Sequence, residues 1–399
     1  MAGAGMQRGV VILAGLLLGA GALGLGAGQG WRTGALWLVG AGLGLALHHA
    51  SFGFAGAFRA LLAEGRGAGL RAQMLMLGVA VLLLQPAIEA GTLLGQPVRG
   101  FVFPTGAALV LGAFLFGVGM QLGGGCASGT LYAVGGSGTR NLLTLLFFIL
   151  GATLAAWQAD LWQDLPALPA VSLPAMLGLW PAIGLALAVF ALVAWASAAW
   201  ERRRHGAVQP ILGRGALLRG PWPLAWGALA LALLNLAILA LAGRPWAITG
   251  AFPLWGSLAV QGLGWDEPVF WPYWEEPTRA EALLRPLATE RTTVMDLGLV
   301  VGAALAAGLA GRFRPAWRIP MGQVAGSVVG GLLLGIGAVL AFGCNVSAYF
   351  SGIASGSLHG WAWILPGLLG NWVGLRLRPR FGLAPAAAGQ GRSRSGGAA

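Results

Sequence analysis

The sequence predicts an all-α polytopic membrane protein built as an inverted internal repeat, with a re-entrant half-helix breaking each repeat at membrane depth. Three observations carry this. The chain of 399 residues is 57% hydrophobic and only 9% charged, against roughly 25% charged in a soluble domain, so it lacks the polar surface to cover a water-facing globule. Apolar runs near the ~20 residues that a helical span needs recur along the whole chain. A glycine-rich pattern ending in a cysteine also occurs twice, GVGMQLGGGCASG at 117–129 and GIGAVLAFGCNVS at 335–347.

Candidate spans are 9–28, 34–52, 72–95, 103–124, 141–157, 177–200, 222–242, 249–264, 294–311, 321–342 and 359–376. The first apolar run, Val10 to Ala27, is longer than the roughly 7–15 apolar residues of a signal peptide and leads straight into another span, so it reads as a retained helix. After the fourth and tenth spans come Ala127–Val134 and Asn345–Ile353, too short and too rich in Ser and Gly to cross alone. These read as half-helices dipping into the protein, because broken backbone at membrane depth is tolerated only when buried in protein or lining a cavity. The organisation that follows is a first membrane repeat at 1–200, a basic linker at 201–220, a second repeat at 221–380 and a disordered Arg/Gly/Ser-rich tail at 381–399.

The formal net charge of +12 comes from arginine alone, since the chain has no lysine. With the abundance of Ala, Gly and Leu, this reads as coding bias and orientation signal rather than as a nucleic-acid footprint. The connection Arg59 to Arg71 is basic, whereas Trp265 to Arg291 carries Asp266, Glu267, Glu275, Glu276, Glu281 and Glu290. The second link has only Arg99 in the first half but Arg312, Arg314 and Arg318 in the second. A bias that flips between halves is what an inverted repeat gives. One point resists: Arg8 and the linker both look cytoplasmic, so either 177–200 or 222–242 does not fully cross, or the arginine rule misleads at 201–220. The C-terminus is expected in the cytoplasm.

Aligned on Cys126 and Cys344, the two patterns share Gly112/Gly330, Leu115/Leu333, Gly117/Gly335, Gly119/Gly337, Leu122/Leu340, Gly125/Gly343, Ser137/Ser355 and Gly138/Gly356. A duplicated, glycine-interrupted apolar segment is the sequence pointer to a transporter's central site. Each cysteine begins a helix-like segment, so N–H groups and the positive end of the dipole face its surroundings. Two such ends converging would form an anion site with soft sulfur ligands, helped by Ser128, Gly129, Asn345 and Ser347, with Gly125 and Gly343 admitting close approach. For a lone Gly-Cys the plain reading is helix packing around a small hydrophobe; the matched pair favours the site. The two cysteines are read as free thiols rather than a disulfide. They are expected near the midplane, closer to each other than to either water surface.

Other residues carry weaker signals. His48 and His49 read as an interfacial polar pair, although they could gate or bind a metal. His359 with Trp361 and Trp363 reads as a span start in an aromatic belt. WDEPVFWPYWEE at 265–276 reads as an interfacial loop anchored by Trp and Pro, and Arg59 as a structural charge at the cytoplasmic rim. Asp160 and Asp164 flank spans, and Glu89 is the one carboxylate that stands out inside them, read either as a functional intramembrane acid or as a residue near a span end. No GxxxxGK[ST] loop is present, which excludes ATP hydrolysis by this motif, and no metal-spaced cluster appears. No metal, cofactor or enzymatic activity is therefore expected.

AFGCNVSAYFSGIASGSLHGWAW at 341–363, HHASFGFAGAFRALL at 48–62, DLGLVVGAALAAGLAGRF at 296–313 and GGGCASG at 123–129 resemble the YeeE/YedE family of sulfur-compound transporters. The resemblance covers most of 34–380. It implies an inverted repeat around a central hourglass-like pathway, uptake of thiosulfate or a related small sulfur-containing anion, and passage between thiols by S–H···S hydrogen bonding, with Cys126 and Cys344 as two of these thiols. Some members carry a further cysteine where this chain reads Ser51-Phe52-Gly53-Phe54. The family also implies an inner (plasma) membrane location and a small cytoplasmic sulfur carrier or sulfurtransferase as partner. Two alternatives stand beside it: a membrane sulfur-transfer or redox component with reactive cysteines, and a soft-metal transporter.

Overall fold

The structure is a computed structural model that describes residues 5–383. The apolar runs fold as helices because a backbone away from water must bond within itself. They are α1 (Arg8–Gln29), α2 (Trp31–Ala50), α3 (Phe54–Arg59, continued by a π-helical turn Ala60–Glu64), α4 (Ala68–Glu89), α5 (Ala107–Gly123), α6 (Ala127–Gly135), α7 (Thr139–Trp157) and α8 (Leu173–Leu177). There follow α9 (Leu179–His205), α10 (Leu224–Ala242), α11 (Ala251–Gly262), α12 (Pro277–Leu284), α13 (Arg291–Leu309) and α14 (Met321–Leu340). A π-helical turn Asn345–Phe350 then runs into α15 (Ser351–Ala354), and α16 (Leu358–Leu377) ends the bundle. Two-residue strands make a small hairpin, Thr92–Leu93 with Gln96–Pro97, and pair Thr105–Gly106 with Ala167–Leu168. Among the described residues, nine helical stretches are long and apolar enough to cross a membrane. Exposed leucines such as Leu16, Leu23, Leu146, Leu192 and Leu365 stand on the outer faces of the bundle, as lipid contact requires. This is a multi-pass membrane protein.

Contacts between helix ends sort the connections into two groups. At one end, Gln7 holds the Phe313 backbone, Arg71 reaches the Gln209 carbonyl and Arg378 donates to the Gln121 carbonyl. At the other, Arg32 reaches Leu94 and Gln96, Gln96 donates to the Ala240 carbonyl, and Arg291 donates to that of Ala242. The first end carries Arg8, Arg59, Arg66, the arginines of 201–220, and Arg312, Arg314 and Arg318; the second carries the acidic 265–290 region. Both α9 and α10 are long enough to cross, and they meet at the basic end. It is α11 that does not cross: its 12 residues rise only about 18 Å at ~1.5 Å per residue, against ~30 Å of hydrocarbon. α11 follows α10 at the acidic end just as α3 follows α2 at the basic end.

The basic linker is fastened by one buried carboxylate. Glu201 is fully buried, 2.8 Å from the Arg71 guanidinium and 3.4 Å from that of Arg66. It also accepts from the Gly67 and Gln209 backbones at 3.2 Å each, so every charge taken from water there is answered by hydrogen bonds. Of the tail expected to be disordered, Leu383 is buried and Phe381 packs beside Gly322 at the start of α14; residues 384–399 lie outside the described residues.

Glycines set the helix spacing. α2 packs on α13 with reciprocal glycines: Gly40 and Gly44 face the backbone of Met295 and Leu299, while Gly298 and Gly302 face that of Trp37 and Ala41. α5 and α14 pack antiparallel, with Gly119 against Gly330 and Leu334, and Gly337 against Gly112 and Phe116. Gly117 meets α16 at Gly367 and Gly370, and its sequence counterpart Gly335 meets α7 at Phe148 and Ala152. The contacts therefore recur with the sequence pattern. Likewise α4 packs on α10 and α9, as α13 packs on α2 and α1.

A Cβ at Gly302 would overlap the Ala41 carbonyl, whereas one at Gly24 in α1 meets nothing within 4 Å. Gly302→Ala should lower stability by about 1–3 kcal/mol, as overpacking does. Gly24→Ala should leave it unchanged or raise it, by at most about 1 kcal/mol, because alanine is the better helix former. Thermal unfolding of the detergent-solubilised protein reads both, and an equal loss from the two would refute the close-packing account.

Candidate functional site

Both Gly-Cys motifs turn the chain from a long helix into a short one, and in both the cysteine caps the short helix. α5 closes at Gly124, whose φ of +88° is a left-handed conformation that suits glycine. Cys126 then caps α6, its Sγ accepting from the Gly129 N–H at 3.4 Å and lying 3.3 Å from the Ser128 hydroxyl. In the second copy the chain leaves α14 through Phe342 and Gly343, at φ +55° and +140°. Cys344 caps the next helix, its Sγ accepting from the Val346 N–H at 3.3 Å and from the Ser347 hydroxyl at 3.7 Å. Ser347 Oγ in turn accepts from the Cys344 N–H at 3.0 Å, a reciprocal cap. Both cysteines are free and fully buried. α6 packs directly against the Asn345–Phe350 turn, so the two capped segments meet inside the bundle.

Two cavities approach them from opposite ends. One, of about 390 Å³, is bounded at the basic end by Arg59, Gln209 and Leu224 and reaches Gly125, Cys126 and Gly129. The other, of about 750 Å³, is bounded at the acidic end by Arg244, Glu290 and Arg291 and reaches Phe342 and Ser347. Aromatic rings pack round the junction. Phe54 of α3 meets Tyr349 edge-on at 6.3 Å, Tyr349 stacks on Trp363 at 6.2 Å, and Phe103 stacks on Phe342 at 5.2 Å.

The residues singled out in sequence are thus gathered. Ser128, Gly129, Asn345 and Ser347 are all buried beside their cysteine, and the Asn345 amide has neither its oxygen nor its nitrogen paired. Other readings are corrected. Glu89 is exposed at the end of α4, whereas Asp296 is fully buried in α13 with both carboxylate oxygens unpaired. His359 and Trp363 do not stand in an aromatic belt: both are fully buried, because the first turns of α16 pack between α5 and the second short helix, and His359 Nδ1 lies 2.6 Å from the Ser357 hydroxyl. His48 and His49 pack edge to face at 6.0 Å, with Tyr132 and Trp222 beside them. Among the described residues no group of three or more His, Cys, Asp or Glu could hold a metal. In the 265–276 loop, Trp271 and Trp274 are buried and donate to Asp266 and Ser257, as an anchored loop should.

Sequence reasoning missed Gln73, Asp296 and Thr249. Gln73 is buried in the wall of the first cavity, and Thr249 Oγ lies 3.5 Å from Ser347 Oγ. Gln73 and Asp296 stand sixth in α4 and α13 respectively. A polar residue in an apolar run was the available signal.

The backbone at the second motif is the more demanding. A Cβ on Gly343 would overlap Ser347 Oγ, at a φ that L residues rarely adopt, whereas one on Gly125 would sit 3.1 Å from Gly129 and Thr130 backbone atoms without that strain. Gly343→Ala should therefore reduce the yield of monodisperse protein more than Gly125→Ala, with the difference read by size-exclusion chromatography after identical expression.

Residues 49–373 match the family model described as Sulphur transport. The chain is 30% identical over 288 residues to the thiosulfate transporter TsuA of Spirochaeta thermophila, covering 66% of this chain and 75% of that protein. It is 34% identical over 161 residues to the probable transporter YedE of Salmonella typhimurium and 32% over 151 residues to that of Escherichia coli K12. Those two alignments cover 37% and 36% of their YedE chains.

Proposed function

The chain belongs to the sulphur transport (YeeE/YedE) family, and from that premise we propose that it takes up a small sulfur-containing anion, thiosulfate or a close relative, along a path that passes its two thiols. The observation that carries the reading is the matched pair of cysteine-capped short helices, each reached by a cavity from its own end. An anion leaving water needs donors without a large hydration barrier. Helix N-termini supply N–H groups and a partial positive charge, and thiols are soft, weakly hydrated partners for a sulfur atom. In this mechanism the anion enters from the acidic end, where Arg244 and Arg291 offset the carboxylates. It sheds water beside Ser347, passes from Cys344 to Cys126 through S–H···S contacts, and leaves at the basic end. Ser128, Gly125 and Gly129 in one motif and Gly343, Asn345 and Ser347 in the other form the walls of the passage. No covalent step is required, so the protein acts as a transporter rather than an enzyme.

The inverted repeat is proposed on the same grounds. It relates 1–200 to 221–380 about the α5–α14 contact, with 201–220 as the joining linker. Support comes from the reciprocal glycine contacts and from the opposed placement of α3 and α11. α6 and the segment 345–354 are then re-entrant half-helices, each entering from its own end and meeting the other at the waist of an hourglass. By the positive-inside tendency, the basic end and the C-terminus face the cytoplasm across the plasma membrane. A small sulfur carrier or sulfurtransferase there would take up what is delivered.

Uptake of labelled thiosulfate by a host lacking its own thiosulfate uptake tests the reading. The wild type should exceed the empty vector. Cys126→Ser and Cys344→Ser should each lower uptake at least about tenfold at unchanged expression, because a hydroxyl is harder and better hydrated than a thiol. Wild-type rates from the Ser and Ala variants at both positions would sink the thiol pathway.

A further inference from the structure

The cavity at the basic end contains more than the thiol. Among the described residues no carboxylate lines it. Its one charged lining residue is Arg59, half-buried at the end of α3, and no ion pair holds Arg59 among the described residues. Arg140 and Arg378 lie within electrostatic reach of Arg59, adding to the positive potential there. Those two arginines donate to the Leu122 and Gln121 carbonyls at the end of α5. The same cavity is lined by Gln73, 1% exposed, with neither its amide nitrogen nor its amide oxygen paired. A buried amide without a partner is costly, and its presence in the wall of a positive cavity marks a place for a guest. Tyr132 connects the parts: it lines the same cavity and lies within electrostatic reach of both Cys126 and Arg59.

We propose that Arg59 and Gln73 form an oxyanion-holding subsite facing Cys126, which receives the oxygen end of a small sulfur oxyanion while the ion's terminal sulfur faces the thiol. This rests on the anion reading above and adds an orientation to it. A guanidinium presents a planar fork that matches two oxygens of one ion, and the Gln73 amide supplies a further N–H donor. Cys126, by contrast, is a soft partner suited to sulfur. An ion with unlike ends is therefore held one way round, and one with oxygen at both ends lacks the sulfur contact.

With Cys344→Ala, Cys126 is the chain's only cysteine, so its reaction with methanethiosulfonate reagents can be timed in the purified full chain. The anionic sulfonatoethyl reagent should react faster than the cationic trimethylammonioethyl reagent. Arg59→Gln should lower that ratio at least about tenfold, and Arg59→Lys should preserve most of it. With a neutral reagent, thiosulfate should protect Cys126 better than sulfate does. Gln73→Leu should raise the thiosulfate concentration for half-protection by about tenfold, the weight of one hydrogen bond to a charged group. An unchanged ratio in folded Arg59→Gln, unchanged protection in folded Gln73→Leu, or failure of both reagents to reach Cys126 would each overturn the subsite. Should Arg59→Gln fail to fold, the Gln73→Leu comparison decides alone. If the wild type shows no thiosulfate uptake while Cys126 reactivity still follows the Arg59 charge, the transport reading falls and the subsite stands.

Discussion

Everything in this fold depends on glycine-lined helices touching backbone to backbone. Lipid gives apolar side chains no reason to leave it, so helices in a membrane are held by close packing instead. Here the close contacts include those of α5 with α16 and of α2 with α13, where carbonyl oxygens of one helix lie where the Cβ atoms of the other would be. With 69 glycines in the chain, the bundle gives up helix propensity in exchange for proximity. That proximity places two broken helices against each other.

Breaking a helix inside a protein leaves buried N–H groups in need of partners, and the two cysteines answer that demand locally. Each sulfur accepts a backbone N–H of the helix it begins, so the residues proposed to meet a soft anion are also part of the frame. Burial follows from the same geometry. Glycines at 124 and 343 turn the chain back into protein, and the aromatic rings of Phe54, Tyr349 and Trp363 fill the space behind.

Much of this was legible in the residues. Apolar run length located the crossing helices, and the duplicated Gly-Cys pattern located the capped short helices to within one residue at each end. The stretch 249–264 misled because its hydrophobicity matches a span while its helix stops at Gly262, leaving α11 too short to cross. Asp296 and Gln73 were hidden for another reason: a polar residue in an apolar run announces itself, but the helix face it occupies, and hence whether it meets lipid or protein, is set by contacts from distant segments. His359 and Trp363 show the same limit, since an aromatic-rich helix start looks alike whether it ends in a headgroup layer or under another helix.

The capping of Cys344 has a directional consequence. Its sulfur receives both the Val346 amide and the Ser347 hydroxyl, so its acceptor capacity is turned inward, toward its own chain. What that thiol still has to donate is its hydrogen. On the proposed path this thiol presents a polarity before it presents a shape: a lone pair is welcomed, and a cation, however soft, meets a proton where it would need an electron pair.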